Sequence, residues 1–126
     1  MVVLDSSALI AFFRKEPGSD LIESHIAEAS VSAVNVQEVA KKMMDAGASE
    51  GDIRASIDKL QLMICPHEAE DAFLAASLSA ATRQHGSGLG DRSCMALAMR
   101  LGVPALTTDR AWAKLDIKGL EVIVAR

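Results

Sequence analysis

The chain alternates short apolar runs with longer amphipathic stretches. Met1-Val2-Val3-Leu4 is a β-branched run stopped by Asp5, and Ala8-Leu9-Ile10-Ala11-Phe12-Phe13 has helical length, so a strand and then a helix are predicted. Pro17-Gly18-Ser19 interrupts, and the spacing of Leu21, Ile22 and Ile26 predicts a second helix ending near Ala29. Ser30-Val31-Ser32-Ala33-Val34 reads as a second strand. Asn35 is expected to cap a helix running to about Ala46, with Glu38 placed as in a capping box and Gly47 as the stop. A helix from Ser49 to about Leu60 and a third strand, Leu62-Met63-Ile64-Cys65, come next. Pro66 then opens an alanine-rich helix over Glu68 to Arg83. Gly86-Ser87-Gly88-Leu89-Gly90 is a loop delivering Asp91 to a helix over Arg92 to Leu101, which Gly102 ends. Pro104-Ala105-Leu106-Thr107-Thr108 is a fourth strand leading into Asp109. A short helix carrying Trp112 and a fifth strand, Leu120 to Val124, complete the pattern.

Strands alternating with helices, and strands apolar on both sides, predict an α/β fold: a mostly parallel sheet of four to five strands covered on both faces. Right-handed crossovers put helices in both outer layers, a three-layer α/β/α sandwich. Ligands in such sheets bind beyond the carboxyl ends of the strands, where strand order reverses. Asp5 and Asp109 both fall at such ends. Met95, Met99, Phe73, Leu97 and Leu101 are expected in the core.

The length of 126 residues suits one compact domain spanning 1–126. No uncharged apolar run approaches the roughly 20 residues that cross a bilayer, and the first residues lack a signal-peptide layout. A cytoplasmic protein without membrane contact is expected. Cys65 and Cys94 have no metal-ligand spacing and read as two core thiols. Lys and Arg number 13 and Asp and Glu 17, a net charge of −4, which argues against nucleic-acid binding through bulk positive charge. With three Phe, one Trp and no Tyr, an aromatic platform for stacking single-stranded bases is not expected.

Four acids change this picture. Singly, Asp5, Asp91 and Asp109 read as helix caps and Glu38 as a capping-box partner. Jointly, the predicted topology takes all four to one sheet edge. Clustered carboxylates repel, and without a cation some must hold protons at raised pKa. An all-oxygen set without His or Cys suits magnesium, or manganese, better than zinc. Between carboxylates and a phosphate such an ion would polarise a phosphodiester and stabilise the leaving oxygen. Arg14, Lys15, Arg92, Arg110 and Lys114 lie near the same edge as candidate backbone contacts. His85, in the glycine-rich loop, is expected to be simply solvated.

Four segments resemble the motifs of PIN domains, in order. They are Val2-Val3-Leu4-Asp5-Ser6-Ser7-Ala8-Leu9, Asn35-Val36-Gln37-Glu38-Val39, Gly90-Asp91-Arg92-Ser93-Cys94-Met95-Ala96-Leu97-Ala98 and Thr107-Thr108-Asp109-Arg110-Ala111-Trp112. In length and order the whole chain is most similar to the toxin ribonucleases of bacterial VapBC toxin–antitoxin pairs. The resemblance implies an endoribonuclease whose Asp5, Glu38, Asp91 and Asp109 hold Mg2+, with Mn2+ as a substitute. It also implies supporting roles for Ser6 and Thr107, toward metal-bound water or a carboxylate, a cognate antitoxin, an RNA substrate and a homodimer. One departure is Gly88, which stands where such toxins often carry a serine ahead of the Leu-Gly-Asp. Two other readings are a PIN-like protein-binding module whose acids only cap helices, and an aspartate-based phosphatase. The latter wants Asp-x-Asp, and Asp5 is followed by Ser6-Ser7.

Overall fold

The computed structural model describes residues 1–126. Five strands, β1 (Val2–Leu4), β2 (Ala29–Ser32), β3 (Met63–Cys65), β4 (Ala105–Thr107) and β5 (Val122–Val124), form one sheet of order β3-β2-β1-β4-β5. Every pairing is parallel. Seven helices connect them: α1 (Ser6–Arg14), α2 (Ser19–His25), α3 (Ala33–Asp45), α4 (Glu50–Asp58), α5 (Ala69–Ser77), α6 (Ser79–Thr82) and α7 (Leu89–Leu101). Short 3-10 turns follow α2 and α6, and a third, Arg110–Lys114, lies between β4 and β5. No helix is long and apolar enough to cross a membrane.

The strand period of two sorts β1 between two cores. Val2 and Leu4 join Leu9 of α1, Ile22 of α2 and Val39 of α3 on one face. Val3 joins Leu78, Trp112 and Cys94, Met95 and Leu97 of α7 on the other. A central layer between two helical layers is thus built from a three-residue strand whose side chains are all buried. Strand β2 departs from the all-apolar expectation. Ala29 and Val31 face the first core, while Ser30, the register partner of Val3, and Ser32 are buried on the other side. There α7 offers small residues, Ser93, Cys94, Ala96 and Ala98, and small partners let helix and sheet approach closely. Cys94 is buried in the second core, and Cys65, at the end of the edge strand β3, is partly buried and packs against the same core; both are free.

The alanine-rich helix is broken rather than continuous. Leu78 separates α5 from α6: its N–H bonds the Ala75 carbonyl at 3.1 Å, a tightened 3-10 turn, while its own carbonyl accepts both the N–H and the hydroxyl of Thr82, at 3.1 and 2.8 Å. Phe73 is 77% exposed, contrary to the core expectation. The inward stripe of α5 runs through Asp71, Ala75 and Leu78, and Phe73 points away from it. Leu101 also lies at the surface, at the end of α7.

Asp71 is the buried polar member of that stripe. Its carboxylate takes the Glu68 N–H at 3.1 Å and the Arg100 Nε at 2.5 Å, clamping the start of α5 to α7. Burial opposes its charge, but the Glu68 N–H and the Arg100 guanidinium outweigh it and hold the carboxyl below its ordinary pKa. Arg100→Ala, which strands the buried carboxylate, is expected to cost about 3 kcal/mol at neutral pH. Asp71 contributes stability above its unfolded pKa and loses it as pH falls through the lower folded value. The penalty of Arg100→Ala, read from urea midpoints, should therefore shrink toward pH 3; an equal penalty at both pH values would contradict the clamp.

Candidate active site

Asp5 leaves β1 in extended conformation and occupies the cap position of α1, yet its side chain makes no capping hydrogen bond. The carboxylate turns instead toward β4. Its Oδ2 accepts from Ser7 Oγ at 2.7 Å and from Thr107 Oγ1 at 2.9 Å. Those hydroxyls in turn accept from the backbone N–H groups of Thr108 and Asp109, each at 3.1 Å, which locks the β1 and β4 ends together. Asp5 is only 2% exposed, and its Oδ1 is buried without a hydrogen-bond donor.

Glu38 is reached differently from the capping-box expectation. Helix α3 starts at Ala33 with Ser32 as its cap, whose Oγ accepts from the Val34 N–H at 3.2 Å. Asn35 is therefore inside the helix, one turn before Glu38 and on the same face, and is fully buried. Its amide donates to Glu38 Oε1 at 2.9 Å and to the Gly90 carbonyl at 3.0 Å. Ser6 Oγ donates to the same Glu38 oxygen at 2.7 Å. Gly90 lies beneath this carboxylate, and any Cβ there would collide with both Glu38 oxygens.

Asp91 is the third residue of α7, which begins at Leu89, three residues earlier than the sequence predicts. Its Oδ2 accepts from the Gly88 N–H at 2.9 Å. Gly88 has no side chain to answer, so only half of a capping box is made; the backbone group survives the replacement of serine by glycine. Arg92 is tied to the Ser87 carbonyl at 2.8 Å and holds the loop. Asp109 caps the last 3-10 turn, its Oδ1 accepting from the Ala111 N–H at 2.9 Å.

Asp5, Ser6, Ser7, Ile10, Glu38, Lys41, Lys42, Asp91 and Asp109 line one open cleft of about 360 Å3. It lies at the β1–β4 junction, where the winding of the sheet reverses. A slightly larger hollow of about 390 Å3, around Met1, Ala29, Leu62 and Met63 at the opposite end of the strands, holds one acid, Glu28. Size alone does not locate the chemistry. Burial pushes the Asp5 pKa up to about 6, with the charges of Asp91 and Glu38 adding to it against the pull of the Ser7 and Thr107 hydrogen bonds. Burial also raises Asp91, joined by Glu38 and Asp109 and countered by the Gly88 N–H and Arg92. Buried Cys94 is pushed well above the usual thiol range and is no nucleophile.

All four acids named from the sequence reach this cleft, with Ser6 on its wall and Thr107 beneath Asp5. Ser7, Asn35, Gly90, Lys41 and Lys42 had no site role assigned from the sequence. Asn35 had a signal, its three-residue spacing from Glu38; the lysines, adjacent on α3, had none. His85 does not line the cleft. The residues fit a hard divalent cation: the donors are all oxygen, and Asp5 presents a buried oxygen lacking any protein partner. No three His, Cys, Asp or Glu side chains stand close enough to form a ready-made cage. Magnesium does not require one, being commonly bound by one or two carboxylates, waters and substrate phosphate.

Residues 2–118 match the PIN domain family model. The chain belongs to the PIN-domain family. Solved structures of the same fold include a toxin–antitoxin complex from Klebsiella pneumoniae, 16% identical at TM-score 0.76, covering 100% of this chain and 98% of that one. VapBC2 from Rickettsia felis bound to a promoter DNA fragment is 14% identical at TM-score 0.73, covering 98% of each chain. VapBC-5 from Mycobacterium tuberculosis is 22% identical at TM-score 0.60, covering 98% of this PIN domain and 97% of that chain. No curated protein matches the sequence.

Two outcomes follow from the crowding. Glycine to alanine inside a helix ordinarily gains up to about 1 kcal/mol, but Gly90→Ala should instead lose about 1–3 kcal/mol by overpacking against Glu38. The same change made in Glu38→Ala should be stabilising; a gain in both backgrounds would refute the contact. The second outcome concerns pH. Asp5 keeps its proton in the folded state up to about 6 and loses it near 3.8 when unfolded, so metal-free stability falls as pH rises through that window. Relative to Asp5→Asn, the wild type should lose about 3 kcal/mol between pH 4 and pH 7. Parallel stability curves for the two proteins would contradict the shift.

Proposed function

We propose that this PIN domain is a magnesium-dependent endoribonuclease, with manganese as a substitute ion, acting as the toxin of a type II toxin–antitoxin pair in the cytoplasm. Its partners would be a cognate antitoxin and a second copy of itself in a homodimer. The observation that carries the reading is the convergence of four carboxylates, from four separate elements, on one cleft at the sheet's switch point. Burial, with the charges of neighbouring carboxylates adding to it, raises the pKa of two of them, Asp5 and Asp91, a cost that helix capping alone does not require.

Asp5, Glu38, Asp91 and Asp109 would hold the ion, which supplies charge stabilisation to the phosphodiester and lowers the pKa of a nearby water. The chain's own contribution is preorganisation. Ser7 and Thr107 fix Asp5 and leave its Oδ1 without a partner; Ser6 and Asn35 both occupy Glu38 Oε1 and leave Oε2 free of hydrogen bonds. Asp91 and Asp109 each spend one oxygen on a backbone N–H, which aims the side chain by its own helix end. Solved toxin–antitoxin complexes that share this fold support a toxin role among those open to a PIN domain.

The cap bonds of Asp91 and Asp109 favour a second reading, a protein-binding module without catalysis. Cleavage decides between them. Purified protein should cut single-stranded RNA in millimolar magnesium and stop in excess chelator, and Asp5→Asn or Asp91→Asn should lower kcat about 1,000-fold, several kcal/mol of charge stabilisation. Expression should arrest growth, and Asp5→Ala should abolish the arrest. Cutting that persists in chelator, or in both variants, would sink the mechanism.

A further inference from the structure

A second, apolar groove of about 210 Å3 adjoins the acidic cleft. Ile10 and Phe13 of α1 and Met43 and Ala46 at the end of α3 form its walls, and Arg14 and Lys42 stand on its rim. Ile10 and Lys42 line both the groove and the cleft, so the two are continuous. The Phe13 ring is braced edge-on against Phe12, with centroids 5.6 Å apart, which gives the groove a firm wall.

The charges around it are arranged unevenly. Lys41 is paired with Asp45 at 2.5 Å, whereas neither Lys42 nor Arg14 makes an ion pair with any carboxylate. Two free cations thus border an apolar hollow that opens off an acidic cleft. The groove is smaller than the roughly 300 Å3 at which drug-sized ligands are held, a size suited to one flat fragment rather than to a row of side chains from a helix.

We propose that this groove seats the nucleotide next to the cleaved phosphodiester, its base against Ile10, Phe13 and Met43 and its phosphate between Lys42 and Arg14. The inference rests on the ribonuclease reading of the cleft. A strand whose scissile phosphate enters among the four acids meets repulsion there, and Lys42, shared by cleft and groove, with Arg14 on the groove rim offers unpaired positive charge against it. Apolar walls hold a base without reading its hydrogen-bonding edge, so the groove sets position along the strand and favours unpaired RNA over duplex.

The test uses the full chain and a short single-stranded RNA cut at one place, with an abasic nucleotide moved along the flanking positions. In the wild type one adjacent abasic position should lower kcat/KM roughly 10-fold, the worth of one stacked base. Ala46→Leu, which fills the groove at an exposed position outside the cleft, should erase that difference. Lys42→Gln and Arg14→Gln should each raise KM several-fold with kcat nearly kept, and each should reduce the slope of log kcat/KM against log salt by about 0.7. Abasic scanning without a sensitive position, or discrimination that persists in Ala46→Leu, would overturn the groove while leaving the nuclease standing. So would groove variants that weaken only an antitoxin complex.

A readout independent of cleavage separates the two readings. Adenosine monophosphate titrated in the presence of magnesium should shift the methyl resonances of Met43, Ala46 and Ile10 in the wild type, and the shifts should be lost in Lys42→Gln. Methyl groups that stay silent at saturation would contradict the groove even if RNA is cut. Shifts without any RNA cleavage would keep the nucleotide seat and remove the ribonuclease.

Discussion

The carboxylate of Asp5 is nearly sealed from water at the seam where β1 meets β4, and the site is organised around making that placement possible. Two hydroxyls, from Ser7 and Thr107, support one of its oxygens, and the other is left without a donor. Glu38 and Asp91 approach from α3 and α7, so three carboxylates share a region of low dielectric. Like charges so placed disfavour ionisation and draw in a cation. The strain is local, and the sheet that bears it is short: β1 has three residues, all buried, with a core on each side.

The neighbouring elements answer that constraint. Asn35 gives up a surface role to brace Glu38 against α7, and Gly90 yields the space of a side chain so that the Glu38 carboxylate can rest on the first turn of that helix. Small residues along α7 let it press onto β1 and β2. Farther away, Asp71 and Arg100 anchor the other end of α7 to α5, outside the cleft. The rim of the site is built from α3 as well, since the helix that supplies Glu38 presents Lys41 and Lys42 one turn later. A single helix thus carries both one acid of the cluster and two lysines of its rim.

Much of this was legible in the sequence because it rests on local rules. The five predicted strands are all present, and their alternation with helices predicted the parallel sheet and its two helical layers. Asp5 and Asp109 could be placed at strand ends without knowing the strand order. What could not be read depends on competition between near neighbours or on contacts distant in the chain. Ser32 outcompeted Asn35 as the cap of α3, a choice between two good caps separated by three residues. A tightened turn at Leu78, whose N–H bonds the Ala75 carbonyl, broke a run of alanines that favours a helix on either side. Phe73 looked like a core residue by type, but the buried Asp71 fixed the inward face of α5 elsewhere. The lysines of the rim are ordinary surface charges until α1 and α3 are folded together.

The central claim is that Asp5 is charged reluctantly in the metal-free protein and readily beside a divalent cation. Carbon-13 NMR of the Asp5 side-chain carboxyl, titrated with pH, measures this directly. Without metal it should titrate near 6, and with saturating magnesium its midpoint should fall below the ordinary aspartate value. An ordinary midpoint without metal, or one that magnesium leaves unmoved, would contradict the account.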